Sequence, residues 1–542
     1  MDDDIKKTLE ELESAHPVVE PNERKSSSQA QRLVAISRSS DVLVFRNQLQ
    51  EAYARVLMCG QHHIIKCRSE VFQNYLMKMA YEAFDEIFSA DAINRCISLL
   101  CANARFDGEQ YELHNRVALA DDSSRWYDLT DHEGNAVKIT HSGWEIVKTP
   151  PILFAGQAHQ RPQVLPSQEG DIRALLKYLN ISDRHQQCLL LVSLVAAFIE
   201  EIPHPIIVIH GEKGSAKSSA LEILRASIDP SVADLLTLSR NVEQLIQTIF
   251  HHWFPCFDNI SHISHEVSDT LCRAVTGLAH SKRRLYTDDE DHFVYFKRPI
   301  GMNGVNLEAD KSDLLDRCLI FELQKVPACH RKEKAKLFVD FRKDLPSILG
   351  GVFDTLSKAM SIHPSVELKS MPRMADFARW GVALAIALGY SQTEFLEAYE
   401  ANISLQNEQS LQESPVALSI IALMRDHDHW EGTATALLQD LTEIVENEKI
   451  TNLIKSHSWP QNASNLSKKI NEVKGSLESA GIVVEKLRPT SSTRLLRITK
   501  DVSLASPPSQ DSPKIVSDTD RRGLPSSEIS QIFPGKEANN DQ

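Results

Sequence analysis

Eight residues, Gly211-Glu212-Lys213-Gly214-Ser215-Ala216-Lys217-Ser218, have the types and spacing to hold the phosphates of a nucleotide. They follow the short β-branched run PIIVIH and precede SALEILRASI, whose apolar residues recur at helical spacing. In a strand–loop–helix context, loop N–H groups and a helix N-terminus surround phosphate oxygens. There Lys217 would reach the β- and γ-phosphates and the Ser218 hydroxyl would ligate Mg2+, with Gly211, Gly214, Ser215, Ala216 and Ser219 completing the cradle. Ala216 stands where the pattern has glycine. Alanine still presents its N–H provided its φ is negative, with Gly211 and Gly214 taking the sharp turns. The alternative is a chance turn of small residues.

Such a loop needs a carboxylate on a second strand. HHWFPCFDNISHIS supplies an apolar run ending in Asp258, placed to hold the Mg2+ water shell; the alternative is a turn aspartate. Asn259 follows, where many ATPases have a glutamate that polarises water. An amide can position water but cannot take its proton. Either the base comes from elsewhere, with Glu266 a candidate, or turnover is slow. YFKRPIGMNGVN ends near Asn303, and in AAA+-type ATPases a polar residue at such a strand tip senses the γ-phosphate. In KSDLLDRCLIFEL, Arg317 precedes an apolar strand, where an arginine acting on a neighbouring subunit's γ-phosphate would sit. A surface ion pair with Asp313 or Asp316 is the alternative. Arg373, in MPRMADF, opens a helix and is a candidate lid arginine.

The elements that must position these residues divide the 542-residue chain into several domains. Residues 1–30 read as an acidic, disordered lead-in. Residues 31–160 pass from helical periodicity to short alternating runs with turn signals, an α+β domain. Residues 161–330 carry the parallel α/β pattern of the nucleotide core, 331–410 a helical lid and 411–500 a winged-helix-like module. The Ser/Pro/Asp-rich stretch 501–542 reads as a disordered tail. The fold class expected is multidomain α/β with a P-loop NTPase core.

No run approaches the ~18 apolar residues of a membrane span, and the N-terminus lacks an apolar signal region. Nine cysteines without C-x-x-C spacing point to reduced thiols, so the location expected is cytoplasmic, with no membrane partner. His62, His63 and Cys67 in QHHIIKC lack a fourth ligand for a metal. The net charge of −15 counts against a molecule coated with nucleic-acid-binding surface, but not against a local basic groove.

Two such places stand out. HSKRRLYTDDEDHFVYFKRP reads as a hairpin with Lys282, Arg283 and Arg284 at its base and Tyr286, Phe293 and Tyr295 interleaved, able to face a ring channel. Its alternative is a solvated hairpin neutralised by its own aspartates. Between 460 and 500, eight Lys/Arg stand against three acids. Lys468, Lys469 and Lys474 fall on the helix that would read DNA, and Arg488, Arg494 and Arg497 on the wing. A protein-binding winged helix is the alternative.

The blocks HGEKGSAKSSALEILRASIDP, FDNIS, RPIGMNGVN, DLLDRCLIFEL, PSILGGVFD and MPRMADFARW, in this order, resemble the ATPase or helicase-like half of primase–helicase proteins of phages, plasmids and integrated elements. The likeness spans roughly 30–500. In that family the loop is typically Gly-Ser-Ala-Lys-Ser and the second strand ends Asp-Asn, so Ala216 and Asn259 fit the family pattern. The chain departs from it at TGLAHSKRRLY, where relatives have a glycine-rich turn. No zinc-ribbon cysteine set precedes the core, so primase activity within this chain is not expected. The resemblance implies an ATP- and Mg2+-dependent, helicase-like motor on single-stranded or forked DNA, working as a homo-oligomer with a hexameric ring as one form. A nucleotide-switched DNA-binding or initiator protein, and a scaffold recruiting a separate primase through 31–160, are the alternatives.

Overall fold

The computed structural model describes residues 28–40, 42–58, 60–283, 291–309, 312–327, 329, 333–447, 459–487 and 495–501. The chain divides into two compact units, one running through Pro415 and including Lys468–Val473, the other comprising Val416–Ser467 and the chain from Lys474. Among the described residues, no helix is long and apolar enough to cross a membrane.

The first unit opens with α1 (Gln29–Ser39), begun by a capping box between Ser28 and Gln31. The antiparallel strands β1 (Leu43–Arg46), β2 (Ala52–Met58) and β3 (Gln61–Lys66) follow, in that spatial order. Two serine-capped helices, α2 (Glu70–Phe84) and α3 (Ala90–Phe106), come next. Alternation along β2 sends Ala52, Ala54 and Val56 to one face, where they meet Leu33, Phe72, Leu76, Ile93 and Leu100 from the three helices.

The chain then makes β4 (Leu113–His114) and a four-stranded antiparallel sheet: β5 (Val117–Leu119), β6 (Arg125–Asp128), β7 (Asn135–Thr140) and β8 (Gly143–Lys148). A last short strand, β9 (Leu153–Phe154), lies parallel to β4. Val117, Tyr127, Val137 and Ile139 enter the same apolar cluster as α4 (Arg184–Ala196). The sequence pattern puts a boundary near 160, but this core runs through it. Gln163 of the connector is buried there, donating to the carbonyl of Ala226.

The stretch expected from the sequence to be a nucleotide core contains β10 (Ile206–His210), α5 (Lys217–Ile228), α6 (Val242–His251), β11 (Cys256–Ile263) and α7 (His265–Thr276). A hairpin, β12 (Leu278–Arg283) and β13 (Asp291–Phe296), is followed by β14 (Gly301–Ala309), α8 (Ser312–Leu315) and β15 (Cys318–Glu322). The sheet is fully parallel in the order β11-β14-β10-β15. Ile207 and Ile209 point into one apolar layer, Ile206 and Val208 into the other. A strand covered on both faces explains why PIIVIH is continuously apolar.

The helices α9 (Lys334–Ile362), α10 (Ala375–Ala387) and α11 (Gln392–Glu413) occupy the stretch expected to be a lid. Phe341, Ile348, Phe353, Phe377 and Phe395 join the core that holds α4 and one face of the parallel sheet. The connector before α4 passes against α9 at Gly350 and Gly351. A Cβ on Gly350 would stand 1.9 Å from the Ser167 carbonyl oxygen, and one on Gly351 2.3 Å from the Ile172 nitrogen. Two adjacent glycines are what that approach requires.

The second unit carries α12 (Pro415–Arg425), β16 (His429–Thr433), α13 (Ala434–Asn447), α14 (Ala463–Ser479, of which Lys468–Val473 group with the first unit), β17 (Ile482–Lys486) and β18 (Leu495–Lys500). Its sheet is antiparallel in the order β16-β18-β17. The helix-then-two-strands ending expected from the sequence is present.

Candidate functional site

The loop between β10 and α5 carries the first half of the site. Gly211 and Gly214 both have positive φ, 144° and 89°. Ala216 does too: it begins α5 at φ 64°, ψ 33°, without a side-chain cap. This corrects the expectation of a negative φ there. A left-handed alanine costs on the order of 1–2 kcal/mol, so the loop holds Ala216 against its own preference. Lys217 Nζ donates to the carbonyls of Gly211 at 2.7 Å and Glu212 at 3.0 Å, arching back over the loop. Ser215 is buried, and its Oγ has no hydrogen-bond partner. Ser219 lies half-buried in the first turn of α5.

The second half comes from the two strands beside β10. Asp258 on β11 accepts a hydrogen bond from Ser218 Oγ at 3.1 Å. Asn303 on β14, 2% exposed, directs Nδ2 to the same hydroxyl at 3.5 Å. Its Oδ1 accepts from the Asn259 backbone N–H at 2.8 Å. Asn259 has φ 57°, and the β11–β14 register shifts there. Asparagine tolerates the left-handed region better than other non-glycine residues. Sequence reasoning weighed the Asn259 amide as a poor base; what the fold uses is its backbone. Ser218, Asp258 and Asn303 therefore meet beside the C-terminal end of β10, against a helix N-terminus; Asn303 is the third residue of β14, as Asp258 is of β11, and does not stand at the strand tip expected from the sequence. Ligands of open α/β sheets bind outside such strand ends.

Arg317 and Arg373 stand in a different cluster. Arg317 Nη1 pairs with Asp313 at 2.6 Å. Arg373 bridges Asp313 and Asp316, the latter at 2.5 Å. Burial alone would raise the Asp313 carboxyl, but hydrogen bonds from Arg317 and Arg373 bring it down to about 2. Burial pushes Asp316 upward in spite of Arg373. The ion pairs weighed as the alternative for Arg317 are thus formed within the chain. A cavity of about 690 Å3 opens beside them, lined by Glu266, Asp269 and Arg273 of α7 together with Asp313 and Arg317. Glu266 is exposed at its rim.

Of the expected nucleic-acid residues, Lys282 and Arg283 lie on β12, while Arg284, Tyr286, Arg488 and Arg494 fall outside the described residues. Tyr295 on β13 is 56% exposed. Lys468, Lys469 and Lys474 lie on α14; Lys468 is exposed, Lys469 pairs with Glu472 at 3.1 Å and Lys474 with Glu478 at 3.6 Å. Arg497 on β18 pairs with Glu431 at 3.1 Å. Those ion pairs take up part of the local positive surplus. His62 and His63 are exposed on β3 and Cys67 is buried; among the described residues, no three His, Cys, Asp or Glu side chains form a metal cluster.

One cluster behind the site was not read from the sequence. Asp229, just past α5, is buried between Arg116 at 3.1 Å and Arg225 at 3.3 Å, and also accepts from the N–H groups of Trp253 and Phe254. It ties the antiparallel sheet, α5 and the approach to β11 into one piece. The only local signal was an aspartate before a proline in RASIDP.

The chain matches two family descriptions in succession. Residues 172–409 match the actinomycete integrative conjugative element replication protein, and residues 416–512 match the C-terminal domain of the same RepA protein. No curated protein matches the chain. Among solved structures it is similar to the apo C-terminal region of NrS-1. One such structure is 10% identical, covering 88% of this chain and 100% of that one at a TM-score of 0.36. An A-form structure is 11% identical, covering 86% and 99% at 0.37. The two family matches adjoin at the boundary between the two compact units and together span more than half of the sequence, so the chain belongs to the replication proteins of actinomycete integrative conjugative elements.

Proposed function

We propose that the chain binds ATP with Mg2+ at the β10–α5 loop and uses its turnover to move or remodel DNA during replication of the element. The observation that carries this reading is the meeting of Ser218, Asp258 and Asn303 within 3.5 Å of one hydroxyl, behind a strand–loop–helix. The residues fit the ligand. A buried, unpartnered Ser215 hydroxyl, the N–H groups opening α5 and the Lys217 amine are donors suited to phosphate oxygens. Ser218 and Asp258 would hold the metal. Asn303 would orient groups beside the end of β10 while holding the Asn259 backbone. Bound ATP would supply a phosphoryl group whose transfer to water drives work on the DNA.

Arg317 would serve a neighbouring subunit after leaving Asp313, with Arg373 and Asp316 restraining that release. The DNA side of the reading rests on the chain from Pro415 onward, whose helix–strand–helix–helix–strand–strand order fits a winged helix with Lys468 exposed on α14.

Asn259 supports a second reading, a nucleotide-operated switch with little turnover, because no carboxylate follows Asp258. Calorimetric titration with ATP, with and without Mg2+, tests what both readings share. Saturable binding that needs Mg2+ and Asp258, and is lost in Lys217→Ala, is expected. Binding unchanged in Lys217→Ala would overturn both.

A further inference from the structure

Two thiols meet inside the sheet-and-helix core at the start of the first unit. Cys67 directly follows β3, and its backbone N–H donates to the Ala52 carbonyl at 3.0 Å, which fixes it against β2. Cys101 lies on α3, on the face of Ile97 and Ala104, in the same apolar cluster. Both thiols are free. Their side chains hydrogen-bond each other, Cys67 donating, and Arg68 donates to the Cys101 sulfur as well. Arg105, one turn further along α3, brings a second positive charge, and both arginines are exposed. The two sulfurs are not equivalent. The hydrogen bond from Cys67 holds the Cys101 thiol below its ordinary value against the effect of burial, and Arg68 and Arg105 add to it. That same bond, together with burial, pushes Cys67 up. Cys96, Cys188 and Cys272 lack such partners at the sulfur, and burial pushes them up to about 11, 12 and 12. Cys67 is closed from solvent, whereas Cys101 keeps 5% exposure.

We propose that Cys67 and Cys101 are a redox-modified pair that a hydroperoxide closes into a disulfide. The thiolate is the nucleophilic form of cysteine, and neighbouring cations favour it. The Cys101 thiolate attacks one oxygen of the hydroperoxide; the O–O bond breaks, and the departing oxygen takes a proton to leave as water or an alcohol. Cys101 is then a sulfenic acid. The Cys67 sulfur attacks the Cys101 sulfur, the S–O bond breaks, and the released hydroxide takes the Cys67 proton to become water. The two thiols lose two electrons and two protons, which the hydroperoxide gains. The new bond staples the end of β3 to α3 and restricts their separation on unfolding. The pair is separate from the nucleotide loop, so its oxidation does not rest on the ATP reading.

The test exposes the full reduced chain to graded hydrogen peroxide. Thiols are counted after denaturation, and peptic peptides are mapped without reduction. Exposed Cys329 serves as the internal reference. The Cys67 and Cys101 thiols should disappear together, as one cross-linked peptide pair that dithiothreitol separates. In Cys67→Ser, Cys101 should stall as a sulfenic acid that dimedone traps; in Cys101→Ser, Cys67 should stay reduced. Arg68→Ala, at an exposed position, should slow closure by about tenfold. Complete oxidation of Cys329 with Cys67 and Cys101 still reduced would overturn the proposal. So would disulfides joining other cysteines, or a wild-type rate in Arg68→Ala.

Discussion

Two non-glycine residues at the site are held in left-handed backbone, Ala216 at φ 64° and Asn259 at φ 57°. Their costs differ, because the asparagine side chain suits that region and the alanine methyl does not. Replacing Ala216 by glycine should therefore stabilise the first unit by about 1 kcal/mol, read as a later urea midpoint. An ordinary alanine-to-glycine change at a helix start would move it the other way. Asn303 has the opposite character: it strains nothing and organises two neighbours. Asn303→Ala frees the Asn259 N–H and removes a partner of Ser218. ATP turnover should fall at least tenfold with affinity within about twofold, because such a group acts on the transition state more than on ground-state binding. Steady-state kinetics beside calorimetry separates the two.

At the scale of elements, what could be read in the sequence was what local pattern encodes. The loop after PIIVIH, the carboxylate ending the next apolar run and the hairpin at 278–296 all declare themselves by periodicity and turn residues. The adjacency of Asn303 to Ser218 needed the crossover order of four parallel strands, which periodicity does not contain. The Arg116–Asp229–Arg225 cluster joins residues more than a hundred positions apart, and each side chain looks like surface when read locally. Likewise, the run from 117 to 139 alternates like an independent sheet, yet its inner face fills the core shared with α4. The Gly350–Gly351 pair shows why a sequence block can be recognisable without its reason being legible. Gly351→Ala sets a methyl against backbone of the connector, with little room to shift. It should destabilise the first unit by about 1–3 kcal/mol, measured by urea unfolding. An unchanged midpoint would mean that the connector does not lie where it is described.

Across the whole molecule, buried histidines make stability depend on pH. Burial holds His204 down at about 3, and His159 and His252 at about 4 and 3. The unfolded chain takes up these protons near 6.5 while the folded chain refuses them. The stability these three contribute is therefore fully present above pH 6.5 and is lost as pH falls below it, whereas His114, which burial would lower but Glu200 raises, contributes in the opposite sense. Fully buried His204 alone should contribute a slope of about 1.4 kcal/mol per pH unit below 6.5. Urea midpoints at pH 7.5 and 5.5 test this, and His204→Asn should flatten the fall.

On the proposed reading, ATP turnover at the β10–α5 loop drives work on DNA. Steady-state ATP hydrolysis by the full chain, with and without single-stranded DNA and with Lys217→Ala as control, tests it most directly. Turnover that rises with DNA and vanishes in Lys217→Ala is the predicted result. Tight ATP binding with no turnover in either condition would contradict the motor reading and leave the switch.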